Sequence, residues 1–405
     1  MSAAADEMQV PNPDSTKSTE RRALGVACGA HALHDGYTDL VYILLPVWQN
    51  EFGLGFAALG LMRTVFSGTL ASFQIPAGFR AERFGAVTVL ALGTALAGFG
   101  YVLAGFSNGV AFLVAALFVG GLGASTQHPL ASSLIAHAFA GSRSLKALGT
   151  YNFAGDIGKM TLPAVAAFLF IVLPWRQVLM LLGCLGGLAA LAIFFAMPHF
   201  RDHAAAPRKS NGSASPGVPV PAYGFPLLLS VGVIDSATRM AFLTFLPFVL
   251  TAKGASLQTV GLALTLVFAG GAVGKLVCAF IGARIGAVAT VWLTEMVTAC
   301  GIVALLPLPL EAALVLLPVV GIALNGTSSV LYGSVPDLVE PAWRQRAFSI
   351  FYTGTIGAGA VSPAIYGLLG DAVGVPTALL IVAAVVLVTL PITLMLRPVL
   401  VARPS

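Results

Sequence analysis

Long apolar stretches recur along the whole chain and constrain its fold more than any other feature. Residues 87–106 and 378–396 are continuous apolar runs, whereas the strands of a membrane barrel alternate apolar and polar positions over about ten residues. Of the 405 residues, 58% are hydrophobic and 9% are charged, against about 25% charged residues in a soluble domain. A bilayer is spanned by helices of about 20 apolar residues. The sequence therefore excludes a soluble or disordered chain and predicts an all-α, polytopic membrane protein.

Twelve of these stretches are separated by glycine, proline or charge, and each predicts one transmembrane helix. The predicted spans are 23–47, 56–79, 86–106, 110–138, 147–172, 176–197, 224–250, 256–281, 287–307, 312–335, 347–369 and 376–396. A long polar segment divides them six and six and has the composition of a flexible linker. The predicted organisation is an N-terminal tail 1–22, a six-helix bundle 23–198, the linker 199–222, a second bundle 223–397 and a C-terminal tail 398–405.

The two halves resemble each other at an offset of 201 positions. Residues 82–87 align with residues 283–288, Pro46 aligns with Pro247, and Tyr151 aligns with Tyr352. Two six-helix bundles that arose by duplication, with a substrate site between them near the bilayer midplane, are a known transporter architecture. The repeat predicts two pseudo-symmetric bundles of this kind.

The distribution of Lys and Arg predicts the orientation, because cytoplasmic loops carry the excess of positive charge. Of the 21 basic residues, 15 lie in the two tails and the connectors on the side of the linker, and only Arg176 and Lys253 lie in the opposite connectors. We therefore expect a multi-pass protein of the inner (plasma) membrane with both termini in the cytoplasm. The basic residues are scattered singly, so we expect no nucleic-acid partner. We expect the protein to be a monomer in the lipid bilayer.

Ionisable residues in the first span form the strongest functional signal. His31, His34, Asp35 and Asp39 follow one another at spacings of three and four, which places them on one helical stripe. A charged residue at the bilayer centre costs at least about 2.5 kcal/mol, so such a stripe faces a partner or water. We interpret His34, Asp35 and Asp39 as a proton-coupling group, because imidazole titrates near neutral pH. The alternative is that the carboxylates only pair with basic residues of other helices.

The same residues leave a metal site open as a second alternative. His31, His34 and one of the two aspartates, with or without His128, offer nitrogen and oxygen ligands that suit a transition metal. This alternative implies a metal carrier or a metal-dependent intramembrane enzyme. We give it less weight than proton coupling and expect no resident metal and no cofactor.

Charges in other spans either pair within their helix only to lower the cost of insertion or serve as ligands for an anionic solute. Asp156 and Lys159 are three positions apart and Asp235 and Arg239 four positions apart, spacings at which intrahelical pairs form. Arg239 released from such a pair would present a bidentate fork to a carboxylate or phosphonate, and Lys159 would present a point charge. Arg63 lies deep in the second span and is a further candidate, whereas single charges such as Lys275 and Glu295 can snorkel to the interface.

The connector after the second span carries a motif that resembles the signature of the major facilitator superfamily. The residues are Gly78-Phe-Arg80-Ala-Glu82-Arg83-Phe-Gly85, where the superfamily has Gly-x-x-x-Asp-Arg-x-Gly-Arg-Arg. The resemblance implies the major facilitator fold and a cytoplasmic gate that contains Gly78, Glu82, Arg83 and Gly85. The second half keeps Arg284 of the motif and has Ala283 in place of the acid.

Three further segments resemble the fosmidomycin-resistance branch of efflux carriers within that superfamily. They are His31-x-x-His34-Asp35, Gln127-His128-Pro129 and Tyr151-Asn152-x-x-Gly155-x-x-Gly158. Asp156 and Lys159 depart from this pattern, because small or neutral residues are expected there. The resemblance implies export of a solute in exchange for protons.

Together these features predict a transporter and not an enzyme. We expect a secondary active carrier of a small organic solute that works by alternating access, with proton-coupled efflux as the leading hypothesis and uptake of a small organic anion as the alternative. No phosphate-binding loop of the type that drives nucleotide-dependent pumps occurs in the sequence. The predicted substrate-binding residues are His31, Arg63, Gln127, His128, Tyr151, Asn152, Asp156, Lys159, Asp235, Arg239 and Tyr352.

Overall fold

The protein is helical throughout the residues that its computed structural model describes, which are 13–139, 142–198, 221–340 and 343–401. The helices of the first half are α1 (Pro13–Phe52), α2 (Phe56–Phe84), α3 (Ala86–Gly105), α4 (Val110–Ala124), α5 (Gln127–Ala138), α6 (Ser142–Leu169) and α7 (Trp175–Ala196). Those of the second half are α8 (Gly224–Ala252), α9 (Leu257–Ile285), α10 (Ala287–Leu305), α11 (Leu310–Ser334), α12 (Arg344–Val373), α13 (Val375–Leu387) and α14 (Thr389–Val401). A short 3-10 helix, Val335–Leu338, follows α11.

The helices agree with the predicted spans except in a few places. The predicted span 110–138 is divided into α4 and α5 by a break at Ser125 and Thr126, and the last span is divided into α13 and α14 at Val388. Helix α1 begins at Pro13, ten residues before the predicted start of the first span. Nearly all of the predicted linker, together with residues 1–12 and 402–405, lies outside the described residues.

Ten stretches of helix in the described chain are long and apolar enough to cross a bilayer. The two other long helices, α1 and α6, carry several ionisable residues, such as Asp35 and Asp39 in α1 and Asp156 and Lys159 in α6, which lowers their hydropathy. Large apolar side chains such as Phe99, Leu188, Phe195 and Phe280 are exposed on the outside of the bundle, where lipid would cover them. The described helices thus supply twelve membrane-crossing segments, which confirms the predicted fold class.

The internal repeat is visible in the backbone. Helices α2 and α9 begin and end 201 positions apart, and α3 and α10 begin 201 positions apart. Gly53 and Gly254 both have positive φ angles, of 63° and 86°, and Gly85 and Gly286 both have φ 85°. This region of φ is open mainly to glycine, so equivalent connectors in the two halves make the same turns.

Two pairs of helices make the most extensive contacts between the halves, and the repeat relates one pair to the other. Helix α2 packs against α12, and α6 packs against α9. We call the end of the molecule that contains the α2–α3 and α9–α10 connectors the linker end, since the segment between α7 and α8 also starts and finishes there. We call the opposite end, with the connectors at Gly53 and Gly254, the far end.

The hydrophobic core shows that the halves meet at the far end and separate at the linker end. One large cluster takes in residues of both halves, including Trp48 and Phe66 of the first and Phe245 and Leu317 of the second. At the linker end each half has a core of its own. Residues of α1, α2, α3, α5, α6 and α7 form one, and residues of α8, α10, α11, the 3-10 helix, α12 and α14 form the other. The interior of the molecule therefore opens toward the linker end.

The far-end closure depends on close backbone contact and on one carboxylate. A Cβ atom on Gly60 of α2 would collide with the carbonyl group of Pro363 of α12, so glycine permits this crossing. The Asp371 carboxylate of α12 accepts hydrogen bonds from Phe56 N at 2.7 Å and Ala57 N at 2.9 Å. It thereby caps the N-terminus of α2, a position where negative charge is favourable.

Candidate functional site: a polar cavity between the halves

A cavity of about 310 Å³ lies where the two halves diverge. This volume is at the lower end of the range of small-molecule pockets, roughly 300–1,000 Å³. The first half lines it with Thr38, Arg63, Ser67, Leu70, Gln74, His128 and Lys159. The second half lines it with Gly232, Asp235, Ser236, Arg239, Met240, Ser328, Leu331, Tyr332, Phe351, Tyr352, Thr355, Ile356, Gly359 and Ala360. Six predicted site residues, Arg63, His128, Lys159, Asp235, Arg239 and Tyr352, are thus brought to one chamber.

Asp35 is the centre of the ionisable residues in the first half. Its Oδ2 atom lies 3.3 Å from Lys159 Nζ, and its Oδ1 atom lies 3.3 Å from His31 Nε2 and 3.8 Å from His128 Nε2. Asp35 is buried, whereas about a third of the side chains of Lys159 and His128 remains exposed. The carboxylate therefore lies behind the cavity wall and holds basic groups that reach the cavity.

The imidazole of His31 is fixed by its surroundings. Its Nδ1 atom lies 2.8 Å from the carbonyl oxygen of Tyr151, and its ring stacks on the Tyr151 ring at 3.9 Å between centroids. Because a carbonyl only accepts, Nδ1 carries the proton and Nε2 is the atom that faces Asp35. A Cβ atom on Gly155 would lie 2.6 Å from Asp35 Oδ2, so glycine lets α6 approach this group.

A second group of charges lies one turn further along α1. Arg63 NH2 is 3.9 Å from Asp39 Oδ1 and donates a hydrogen bond to the Tyr42 hydroxyl at 3.1 Å. Arg63 also donates to the Ser67 hydroxyl, and its guanidinium lies over the Tyr42 ring. The Tyr42 hydroxyl contacts Met240 Sδ of the second half at 3.1 Å. Arg63 is buried. It lies in the wall of the cavity, where the two halves meet.

The α6 charges pair differently from the sequence prediction. Lys159 pairs with Asp35 of α1, and Asp156 pairs with Lys275 of α9, whose Nζ atom lies 2.7 Å from both carboxylate oxygens. The predicted Asp156–Lys159 intrahelical pair is thus replaced by two pairs between helices. The interpretation of Lys275 as a snorkelling residue is also wrong, because its ammonium joins the two halves.

The second half has one cationic group and two carboxyl groups at the site. Arg239 lines the cavity and lies within electrostatic range of both Asp39 and Asp235. The carboxyl group of Asp235 is in hydrogen-bond contact with that of Glu295 of α10. Asp235 therefore has a partner outside its own helix, and the snorkelling interpretation of Glu295 is wrong, because Glu295 is 1% exposed.

Five of the predicted substrate-binding residues do not line the cavity. His31, Gln127, Tyr151 and Asp156 are buried beside it, and Asn152 is exposed on α6 without reaching it. Gln127 instead borders a small niche in the first half, together with His34, Thr94 and Thr126. The His34 Nε2 atom is buried in this niche without a hydrogen-bond partner in the described residues.

The residues of the predicted gate lie at the linker end and away from the cavity. Glu82, Arg83 and Arg284 are exposed there, and the Arg83 guanidinium lies over the Phe84 ring of its own helix. Gly85 ends α2 with a positive φ, and Gly78 lies two turns before it. This placement fits a gate that is released while the linker end is open.

His31, Asp35 and His128 offer ligand atoms within 4.8 Å of one another, which is close enough for a metal ion. The Lys159 ammonium, however, lies 3.3 Å from the same carboxylate. A metal ion bound there would be placed beside a permanent positive charge, which opposes its binding. The residues present therefore fit a resident metal poorly.

A helical membrane protein with two related bundles and a charged cavity between them has the architecture of a secondary carrier. The sequence model of the Major Facilitator Superfamily matches residues 27–230 and 227–405. The chain belongs to this superfamily. It is accordingly a membrane transporter of a small solute and not an enzyme.

Two curated relatives are similar in sequence. The fosmidomycin resistance protein of Escherichia coli K12 is 23% identical over 355 residues, which cover 86% of each chain. The probable sulfoacetate transporter SauU of Cupriavidus necator is 32% identical over 182 residues, which cover 44% of this chain and 42% of the relative. The second match thus spans less than half of that relative.

Solved structures support the fold. A bacterial homologue of the human lysosomal transporter Spinster, in an inward-facing and unoccupied conformation, superposes with a TM-score of 0.80 at 15% identity and covers 96% of this chain and 99% of its own. The nucleoside transporter NupG superposes with a TM-score of 0.76 at 14% identity and covers 93% of this chain. At these identities the likeness concerns the fold alone.

Proposed function

We propose that the protein carries a small organic anion together with protons by alternating access. The observation that carries this proposal is the 3.3 Å contact between Lys159 Nζ and Asp35 Oδ2. The ammonium reaches the cavity, while the carboxylate that neutralises it lies behind the wall. A proton on Asp35 removes the negative charge and leaves Lys159 free to bind an anion.

The other charges at the cavity support an anionic solute. Arg63, His128 and Arg239 line it in addition to Lys159, whereas Asp235 is the one acidic residue among the described lining residues. Guanidinium groups bind carboxylates, sulfonates and phosphonates through paired hydrogen bonds. The names of both relatives are consistent with this class, since one is called a probable sulfoacetate transporter and the other a fosmidomycin resistance protein.

The charge arrangement also sets the expected direction of coupling. Because protonation of Asp35 and binding of the anion to Lys159 favour each other, proton and anion bind together and move together. A cationic solute would instead compete with the proton for Asp35, and the two would be exchanged. The exchange mechanism, with export of the solute, is the second candidate, because the similarity to the fosmidomycin resistance protein covers 86% of the chain.

We further propose that the linker end faces the cytoplasm of the inner (plasma) membrane. The excess of Lys and Arg at this end supports that orientation. In this proposal residues 23–198 and 223–397 rock as two units around the cavity, the protein acts as a monomer, and Glu82, Arg83 and Arg284 belong to the gate that closes at the cytoplasmic side.

Purified protein in liposomes with an imposed pH gradient tests the coupling. Labelled sulfoacetate and labelled fosmidomycin serve as probes, and Glu311→Gln, an exposed acid at the far end, is the control variant. Cotransport predicts accumulation inside liposomes whose interior is alkaline, where protons flow inward. Exchange predicts accumulation inside liposomes whose interior is acidic.

The two gradients separate the candidates. Accumulation of a probe with the alkaline interior alone supports cotransport, and accumulation with the acidic interior alone overturns it in favour of exchange. Equal uptake under both gradients, abolished by neither a protonophore nor Asp35→Asn, would reject proton coupling altogether.

A further inference from the structure

A pair of buried carboxyl groups in the second half has no place in the mechanism above. Asp235 of α8 is 4% exposed and Glu295 of α10 is 1% exposed, and their side chains are in hydrogen-bond contact. Glu295 is the ninth residue of α10 (Ala287–Leu305), so it lies near the middle of a membrane span. Two acids therefore meet at bilayer depth.

This contact requires a proton. An ionised carboxylate only accepts hydrogen bonds, so two carboxyl groups can be joined by a hydrogen bond when at least one of them is protonated. Two like charges at this distance in a medium of low polarity would also repel strongly. The Glu295 Oε1 atom, moreover, is buried without a donor in the described residues, an environment that suits a neutral carboxylic acid and not an ion.

The pair is connected with the cavity on one side only. Asp235 lines the cavity, whereas Glu295 is buried and does not line it. Its neighbour on α10, Thr294, accepts a hydrogen bond from the Thr327 hydroxyl of α11 at 2.7 Å. Arg239, one helical turn from Asp235, lies within electrostatic range of both carboxyl groups, and Tyr332 of α11 lines the same cavity as Asp235. A proton can therefore reach the pair from the cavity through Asp235, and Arg239 balances the remaining negative charge.

The internal repeat gives the pair a counterpart in the first half. At the offset of 201 positions Asp235 corresponds to His34, Glu295 to Thr94 and Thr327 to Thr126. These three counterparts border the small niche that encloses the unpartnered His34 Nε2 atom. The duplicated fold thus places an ionisable residue at the equivalent position of both halves, a histidine in the first and an aspartate in the second.

We propose that Asp235 and Glu295 form a second proton-binding site, on the half opposite to Asp35, which holds one shared proton at neutral pH and exchanges it with the cavity through Asp235. The proposal is independent of the solute and of the direction of transport. A transporter that carries protons on both halves can move more than one proton in a cycle. Glu295 acts through Asp235, so it is a positioning residue for this proton.

Infrared difference spectroscopy of the purified protein in lipid nanodiscs tests the proposal directly, because a protonated carboxylic acid has its own carbonyl stretch. We expect this band at neutral pH in the wild type and in Glu311→Gln. We expect the component that belongs to the pair to be lost in Glu295→Gln. In Asp235→Asn the same component should shift in frequency, because the hydrogen-bond partner of Glu295 changes.

A wild-type spectrum identical to that of folded Glu295→Gln in this region would overturn the proposal. Folding of each variant is verified by its thermal unfolding transition in the same preparation. If Glu295→Gln fails to fold, the spectrum of Asp235→Asn provides the test. An unchanged band in Asp235→Asn would show that the two carboxyl groups share no proton. Failure of the transport experiment above would leave this band unaffected, so the two proposals fail separately.

Discussion

The two halves share a backbone plan but differ in their chemistry. The first half gathers Asp35, Asp39, Lys159 and Arg63 into a network in which each carboxylate faces a cation. The second half contributes Arg239 as its cation at the cavity and pairs its acids with each other. Its remaining lining is made of hydroxyl, aromatic and apolar groups.

The internal alignment shows how this difference arose within one fold. At the offset of 201 positions Asp35 corresponds to Ser236, Lys159 to Ala360 and Arg63 to Leu264, whereas Tyr151 corresponds to Tyr352. Backbone features such as the positive-φ glycines are kept in both halves, but these three charges of the site are not. Packing requirements are therefore common to the halves, while ion and solute handling has been divided between them.

The largest expected effect comes from removing the carboxylate at the centre of the first-half network. Asp35→Asn imitates a permanently protonated Asp35, so Lys159 stays free and anion binding no longer depends on pH. We expect gradient-driven accumulation in liposomes to fall at least about tenfold, equivalent to about 1.4 kcal/mol. Exchange of solute in the absence of a gradient should persist.

Glu311→Gln is the matched control for this variant, because it also removes one carboxylate but lies exposed at the far end. Size-exclusion chromatography confirms that both variants are folded. Wild-type accumulation by folded Asp35→Asn would show that its contact with Lys159 serves only to neutralise a buried charge.

The stripe around Asp35 could be predicted from the sequence because it lies within one helix. The spacing of His31, His34, Asp35 and Asp39 fixes which side chains share a face, and the structure buries all four. The twelve spans and the repeat followed in the same way from hydropathy and alignment, since the bilayer imposes helices on the chain.

The partners of these residues could not be predicted, because they depend on how the helices rotate and cross. Asp156 and Lys159 are adjacent on α6, yet they pair with Lys275 and Asp35 on two other helices. Glu295 was misinterpreted because one charge in a span is compatible both with snorkelling and with a buried partner. Its position at the middle of α10 was the signal that favours the second reading.

A variant of Arg239 tests whether the cation of the second half binds the solute. Arg239→Gln removes the cation that this half contributes, and we expect the affinity for an anionic solute to fall about tenfold or more, because hydrogen bonds to charged groups contribute about 1.5–3 kcal/mol. Affinity for a neutral or cationic solute should change less. Thermal-shift titration of the purified protein with sulfoacetate measures the change.

Arg397→Gln provides the control for loss of an exposed positive charge, and Arg239→Lys tests whether the forked guanidinium is required. If Arg239→Gln weakens the binding of solutes of every charge equally, Arg239 supports the shape of the cavity and does not select the anion.

The contact between the halves can be weakened without touching the cavity. In Gly60→Ala the new methyl group would press on the Pro363 carbonyl, and overpacking costs about 1–3 kcal/mol. We expect the far end to open more often. The measurement uses Phe248→Cys in a chain whose four native cysteines are replaced by serine. This cysteine should react faster with an impermeant maleimide when Gly60→Ala is present than when it is absent.

Gly68→Ala is the control on the same helix, because an added Cβ atom there meets nothing within 4 Å. Equal labelling rates in Gly60→Ala and Gly68→Ala would mean that the α2–α12 contact does not hold the far end closed.

The smallest effect is expected from the carboxylate that caps α2 across the interface. Asp371→Asn removes the charge and one of the two acceptors for Phe56 N and Ala57 N, and loss of such a cap costs about 0.5–2 kcal/mol. The labelling rate at position 248 should rise less than in Gly60→Ala.

Since both changes act on the same α2–α12 contact, their effects in the double variant should not add. Additive effects would show that Asp371 stabilises α2 alone, and closure of the two halves would then rest on backbone packing.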